Sequence, residues 1–146
     1  MDHRCTIRKV LMMTRQEIET VVKGIYNAFE ALDAHKLDEN FSPTESLTAF
    51  GTDEDEFFYG WMKYKSVHEV QFSAVKRFEF TSTDMRVFEH GDTAWFSDRV
   101  HWRIETKAGE KVDTKLRITG VLVKEQGKWR IVQWHVSQGL PRLHEY

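Results

Sequence analysis

Two side chains in the second half of the sequence have the chemistry needed to move a proton, Asp98 and His135. Asp98 stands two residues from both Phe96 and Val100, and an apolar environment makes a carboxylate a stronger base. His135 carries an imidazole, whose charge normally changes near neutral pH. Both are therefore candidate catalytic residues. Each also has a structural interpretation: Asp98 faces water or an arginine if a bulge shifts its strand, and His135 holds a structural hydrogen bond.

Five further residues are candidates for contacting a ligand. Tyr59 and Trp61 would form an aromatic wall, and Arg99 and Arg117 would hold a carboxylate through bidentate hydrogen bonds. Gln133 lies on the same predicted strand face as the candidate histidine. The same residue types also pack cores and interfaces or form surface ion pairs, so the sequence leaves both interpretations open.

No motif for a metal or cofactor is found, and none is predicted. The acidic run at residues 53–56 lacks the glycine and the spacing of an EF-hand loop, and acidic side chains are favoured where a helix begins. The seven histidines are scattered. There is no glycine-rich phosphate loop, no serine-hydrolase elbow and no cysteine pair beside the single Cys5.

Composition limits the partners and the location. A formal net charge of −2 gives no electrostatic reason to bind nucleic acid or an anionic membrane. The apolar runs are far shorter than the roughly 20 residues of a membrane span, and the N-terminus does not resemble a signal peptide. We therefore expect a cytoplasmic protein with no nucleic-acid or membrane partner.

Helices precede strands in the pattern of apolar residues. Thr14 and Glu17 have the spacing of a capping box, which predicts a helix from Thr14 to about His35. Residues 1–12 would form an extension or a short edge strand. A short strand is predicted at 47–51. A second helix should place five residues on one face: Trp61, Tyr64, His68, Phe72 and Val75.

From residue 75 onward the apolar period changes from helical to two. The predicted strands span 76–89, 93–106, 114–125 and 128–137, with glycine-containing turns between them. Helices followed by an antiparallel meander define an α+β fold in one domain. On the last strand, Trp129, Ile131, Gln133 and His135 change from apolar to polar, which predicts a pocket near the strand end. Neither face of these strands is simply polar, so a second copy of the sheet is expected to cover the outer face.

Three motifs resemble the SnoaL-like branch of the nuclear transport factor 2-like superfamily. They are FGTDEDE with GW at 50–61, GDTAW at 91–95, and TGVLVK running into GKWRIVQWHVS at 119–137. The last motif is also similar to the association domain of calcium/calmodulin-dependent protein kinase II. The resemblance implies a cystatin-like cone, in which N-terminal helices pack in a strongly bent antiparallel sheet, and a homodimer formed through the outer sheet face.

The resemblance leaves two functions open, since the superfamily contains isomerases, cyclases and dehydratases as well as non-catalytic domains. One is a cofactor-independent enzyme that moves a proton on a small, largely apolar carbonyl compound. The other is a non-catalytic ligand-binding or oligomer-assembly domain. The expected divisions of the chain are an extension at 1–12, the SnoaL-like domain at 13–141 and a tail at 142–146.

Overall fold

Within residues 2–144, which the computed structural model describes, two α-helices and one 3-10 helix accompany seven strands. The helices are α1 (His3–Glu30), the 3-10 helix (Ala34–Glu39) and α2 (Trp61–Ala74). The strands are β1 (Thr48–Phe50), β2 (Phe57–Tyr59), β3 (Val75–Ser82), β4 (Arg86–His90), β5 (Thr93–Thr106), β6 (Lys111–Glu125) and β7 (Lys128–Gln138). This confirms the predicted α+β class.

One curled sheet contains the seven strands, in the order β2-β1-β7-β6-β5-β3, and β4 also pairs with β5. The pairs are antiparallel except β1 with β7, which run parallel and make the sheet mixed. The strand predicted at 76–89 is two strands, β3 and β4, and both pair with β5. The tight turns contain Gly91, Gly109 and Gly127 at positive φ, as such turns favour.

The first helix begins much earlier than its predicted start at Thr14. Asp2 is the N-cap, with its side chain accepting a hydrogen bond from the backbone N–H of Arg4. Thr14 lies inside the helix and donates its hydroxyl to the carbonyl of Val10. No glycine or proline interrupts residues 3–13, so the helix continues back to the stronger cap. Residues 3–12 are thus helical and exposed, and the prediction of an edge strand there is wrong.

The core lies between the buried face of α1 and the inner face of the sheet. Ile18, Val22 and Ile25 are fully buried, as the predicted helical stripe requires. Phe29 follows them and packs its ring against a cluster of aromatic side chains: His68, Phe72, Phe78 and Phe80. The predicted shared face of α2 is confirmed for its buried residues Trp61, Tyr64, His68 and Phe72, but Val75 is wrongly included, because α2 ends at Ala74 and Val75 begins β3.

An extra residue in β7 changes which side chains point inward. Ile131 pairs with Leu122 and Gln133 pairs with Val121, so Val132 is a bulge in β7. After the bulge the inward residues are Trp134 and Val136, in place of the predicted Gln133 and His135. The predicted inward phase of this strand is therefore wrong beyond Ile131, because a one-residue insertion exchanges the two faces.

Gly120 is expected to be essential for packing beside this bulge. A Cβ added there would lie 2.6 Å from Phe96 Cε1 and 2.7 Å from the carbonyl oxygen of Gln133. Gly120→Ala should therefore lower the free energy of unfolding by about 1–3 kcal/mol, measured by urea denaturation. Gly139→Ala is the matched control, since a Cβ at Gly139 meets nothing within 4 Å. Equal stability of the two variants would contradict this account of the packing.

Candidate functional site

A cavity of about 50 Å³ lies between the two helices and the inner face of the sheet. Most of its wall is apolar, and it draws on elements from both halves of the chain. The apolar lining comprises Phe29, Phe50, Phe58, Phe78, Phe80, Trp102, Leu116, Trp134 and Val136. The polar lining comprises Thr52, Glu56, Tyr64, His68 and Gln71, together with the backbone at Gly51. An apolar wall with a few polar groups is typical of a small-molecule site.

His68 is the most buried ionisable side chain in this lining after Tyr64, with 6% of its surface exposed. Its Nδ1 donates to Gln71 Oε1 over 3.0 Å, and this bond leaves Nε2 as an acceptor. Nε2 is buried without a hydrogen-bond partner among the residues that the structure describes. Burial lowers the pKa of His68 to about 4, against the opposing effect of the bond to Gln71. The ring is therefore neutral at pH 7.

Trp102 brings a second buried polar atom to the cavity. It stands on β5 between Phe80 of β3 and Thr114 of β6, with its side chain on the inner face. Within residues 2–144, its indole Nε1–H has no acceptor. An indole nitrogen can only donate, so the residues that line the cavity include one unmatched donor and one unmatched acceptor.

Glu56 supplies the carboxyl group of the cavity. It ends the loop between β1 and β2, and its Oε1 accepts a hydrogen bond of 2.9 Å from the backbone N–H of Asp53. The side chain lies against Gly51, where a Cβ would come within 2.8 Å of it. Burial raises the pKa of Glu56 above its usual range. The acidic run is therefore a hairpin loop, and its predicted place at a helix start is wrong, since α2 begins at Trp61.

Tyr64 packs beside both ionisable groups. Its ring centroid lies 4.3 Å from that of His68, with the rings nearly perpendicular. Burial, and next the charge of Glu56, raise the pKa of Tyr64 far above its usual value. The phenol is therefore protonated throughout the range in which the protein would be studied.

Asp98 is buried on the apolar face of β5, with 3% of its surface exposed. Its Oδ2 accepts from the hydroxyl of Tyr26 over 2.9 Å, and its Oδ1 accepts from the backbone N–H of Asp84 over 3.2 Å. Burial, and next the charge of Asp98, raise the pKa of the Tyr26 hydroxyl, so this group remains a hydrogen-bond donor to Asp98. Asp98 is not among the residues that line the cavity. Its position, with an oxygen bonded on each side, is that of a buried structural carboxyl group.

His135 does not lie in the cavity either. The bulge at Val132 turns it to the outer face, where it is exposed and its ring centroid lies 5.2 Å from that of Phe50. The predicted position of His135 in a pocket is therefore wrong. Gln133 is turned outward with it, and Trp134 and Val136 line the cavity from this strand.

The structure also separates the remaining candidate ligand residues from the cavity. Tyr59 is 66% exposed, and Trp61 is buried with its Nε1 donating to Asp38 Oδ1 over 3.0 Å. Arg99 is exposed and pairs with Asp84, while the exposed Arg117 donates to Ser137 Oγ and to the carbonyl of Gln138. None of these four side chains lines the cavity. Their roles in ligand binding remain predictions of the sequence.

The sequence pattern could have identified His68 as a buried residue of the cavity, but it contains almost no signal that selects Glu56. A histidine at helical spacing between Tyr64 and Phe72 on an apolar face has to be buried. Glu56 is one of four consecutive acidic residues, and only the fold of the β1–β2 loop selects it. Across residues 2–144 there is no cluster of three or more possible metal-ligating His, Cys, Asp or Glu side chains. No helix in this range has the length and apolar character needed to cross a membrane.

Solved structures define the class of this fold as nuclear transport factor 2-like, with a cystatin-like architecture. A superfamily protein from Salmonella enterica serovar Typhimurium LT2 matches with a TM-score of 0.81 and 16% identity, covering 89% of this chain and 94% of that one. A candidate ketosteroid isomerase from Shewanella frigidimarina matches with a TM-score of 0.69 and 20% identity, and the match covers 83% of this chain and 94% of that one. A candidate calcium/calmodulin-dependent protein kinase II association domain from Xanthomonas campestris matches with a TM-score of 0.72 and 20% identity. That match covers 84% of this chain and 86% of the other.

The family model of the SnoaL-like domain matches residues 18–141, which is most of the chain. The protein therefore belongs to the SnoaL-like family. This confirms the resemblance carried by the sequence motifs. No curated protein matches the chain. At these identities the solved structures establish the fold alone.

Burial of His68 should make the stability of the protein depend on pH. The unfolded chain takes up a proton near pH 6.5, whereas the folded protein does so only near pH 4, so stability falls as the pH drops through this interval. Between pH 7 and pH 5 the histidine should cost about 2 kcal/mol of unfolding free energy. His68→Gln removes this contribution, which urea denaturation at both pH values would measure.

The comparison with His68→Gln isolates the histidine from Glu56. The raised pKa of Glu56 acts in the opposite direction, and both proteins retain that residue. His90→Gln is the control because His90 is exposed. If wild type and His68→Gln lose stability equally on acidification, His68 is not buried as a neutral ring.

Proposed function

We propose that this protein binds a small, largely apolar molecule in the cavity between α1, α2 and the sheet. The observation that carries the proposal is a buried neutral histidine with an unmatched Nε2 among residues that form a largely apolar wall. Buried polar groups are nearly always hydrogen-bonded, so an unmatched one needs an explanation, and a bound ligand would supply one. A volume of about 50 Å³ is well below the roughly 150 Å³ cavity known to hold benzene, so the ligand has at most one ring and the wall adjusts around it.

We further propose that the site transfers a proton without a cofactor. Glu56 and His68 line one cavity, and their environments shift their pKa values toward each other, upward for the carboxyl and downward for the imidazole. Perturbed pKa values of two groups that share a cavity are a feature of functional sites. Glu56 would take a proton from the carbon beside a carbonyl group and return it to another position, the reaction of an isomerase. The Shewanella relative named as a candidate ketosteroid isomerase is consistent with this chemistry.

Oligomer assembly is the second candidate function. Phe88 and Trp95 are both about half exposed on the outer face of the sheet, with their rings stacked at 6.0 Å. A second copy packed on this face would bury them, and we propose a homodimer of this kind. The Xanthomonas relative named as a candidate association domain favours this alternative. The cytoplasmic location stays a prediction of the sequence.

Filling the cavity should abolish ligand binding. Val136→Phe places a larger side chain in the wall and should weaken the binding of a one-ring probe such as phenol at least tenfold, measured by quenching of tryptophan fluorescence. Val70→Phe, on the exposed side of α2, should bind as wild type does. Native mass spectrometry of wild type should show a mass that denaturation releases. Unchanged binding by Val136→Phe would place the ligand elsewhere, and a ligand-free oligomer would favour assembly.

Removing the Glu56 carboxylate should abolish proton transfer. Wild type should accelerate the exchange of the α-protons of cyclopentanone into D₂O, followed by NMR, and Glu56→Gln should reduce this acceleration by at least a hundredfold. Glu54→Gln is the matched control, because Glu54 is exposed in the same loop. Equal acceleration by wild type and Glu56→Gln would rule out Glu56 as the base.

A further inference from the structure

Two residues that line the cavity each contain a buried polar atom without a hydrogen-bond partner, and this bears on the ligand. The atoms are Nε2 of His68 and Nε1 of Trp102, both buried and both without a partner among residues 2–144. The two residues line the cavity from α2 and from β5, and the rings of Phe72 and Phe78 lie between them in a chain of aromatic contacts. The two groups therefore belong to one site by fold and not by sequence proximity.

The hydrogen-bonding sense of each atom is fixed by its surroundings. His68 donates from Nδ1 to Gln71 Oε1, which leaves Nε2 to accept. Trp102 has only an N–H and must donate. A matching ligand must therefore offer a donor to His68 and an acceptor to Trp102. A purely hydrocarbon ligand would leave both atoms unmatched, at a cost in binding.

The rest of the wall restricts the skeleton that carries these groups. Phe29, Phe78 and Phe80 present aromatic surface, and the cavity is small. No lysine or arginine is among its lining residues, so nothing in the wall neutralises an anionic ligand, and the carboxyl group of Glu56 opposes one.

We propose that the ligand is an uncharged one-ring molecule that carries a hydroxyl group donating to His68 and a second polar atom accepting from Trp102. This inference rests on the proposed function, because it names the ligand class of the same cavity. It assigns His68 and Trp102 as the residues that select for polar substituents, while the aromatic wall holds the ring.

Four one-ring probes of similar size separate the contributions. They are toluene with neither group, phenol with the hydroxyl, benzonitrile with an acceptor only, and 3-hydroxybenzonitrile with both. Isothermal titration calorimetry on wild type should give about fivefold to tenfold tighter binding for phenol and for benzonitrile than for toluene. The probe with both groups should bind tightest. This comparison requires no variant.

Two variants assign each preference to its residue. His68→Leu should remove the advantage of phenol over toluene and retain that of benzonitrile, and Trp102→Phe should do the reverse. The controls are His90→Leu and Trp95→Phe, both exposed and outside the cavity, which should keep the wild-type order of affinities. Because wild type alone tests the order of the probes, a variant that fails to fold does not prevent a decision.

The outcomes distinguish this inference from the proposed function. If all four probes bind wild type equally and Val136→Phe weakens them all, the cavity binds ligands but the selection by His68 and Trp102 is overturned. Equal binding of the four probes is also the result expected if water molecules already form the hydrogen bonds of His68 Nε2 and Trp102 Nε1. If no probe binds wild type at millimolar concentration, both proposals are overturned. Preferences that persist in both variants would also overturn the assignment.

Discussion

The bulge at Val132 is the constraint on which the interior of this protein depends. A strand alternates its faces with period two, so one extra residue reverses every side chain after it. Here the reversal brings Trp134 into the core beside Phe96 and Phe41, and it places Val136 in the cavity wall. Gly120, opposite Trp134, provides the close approach that this packing needs. The cavity exists because these adjustments occur together.

Polar groups inside the fold are of two kinds, those with hydrogen-bond partners within the protein and those without. Asp98 has a donor at each carboxyl oxygen, from Tyr26 and from the backbone of Asp84, so its burial is compensated within the protein. His68 and Trp102 each retain an atom that the protein does not match. A satisfied network fixes a packing arrangement, whereas an unsatisfied group in a cavity wall provides specificity for what enters.

Membership of the SnoaL-like family leaves the chemistry to the side chains of this particular chain. The two relatives at 20% identity carry names as different as a candidate ketosteroid isomerase and a candidate association domain. Fold and function are therefore separate questions here, and the second is argued from the site. In our proposal, the neutral His68, the half-buried Glu56 and the largely apolar wall favour a small uncharged ligand over assembly alone.

The sequence by itself determined the local features: the apolar stripes of both helices, the glycine turns between strands, the α+β class and the family motifs. These depend on residues within a few positions of one another, which is why periodicity predicts them. The start of α1 is local as well, since Asp2 caps it and residues 3–12 are exposed. Only the tertiary structure decided the partner of Asp98 and the cavity lining. Tyr26 lies 72 residues from Asp98, and the bulge in β7 has no marker in its own sequence. Contacts over such distances, and a one-residue shift in strand phase, are set by how the whole core packs.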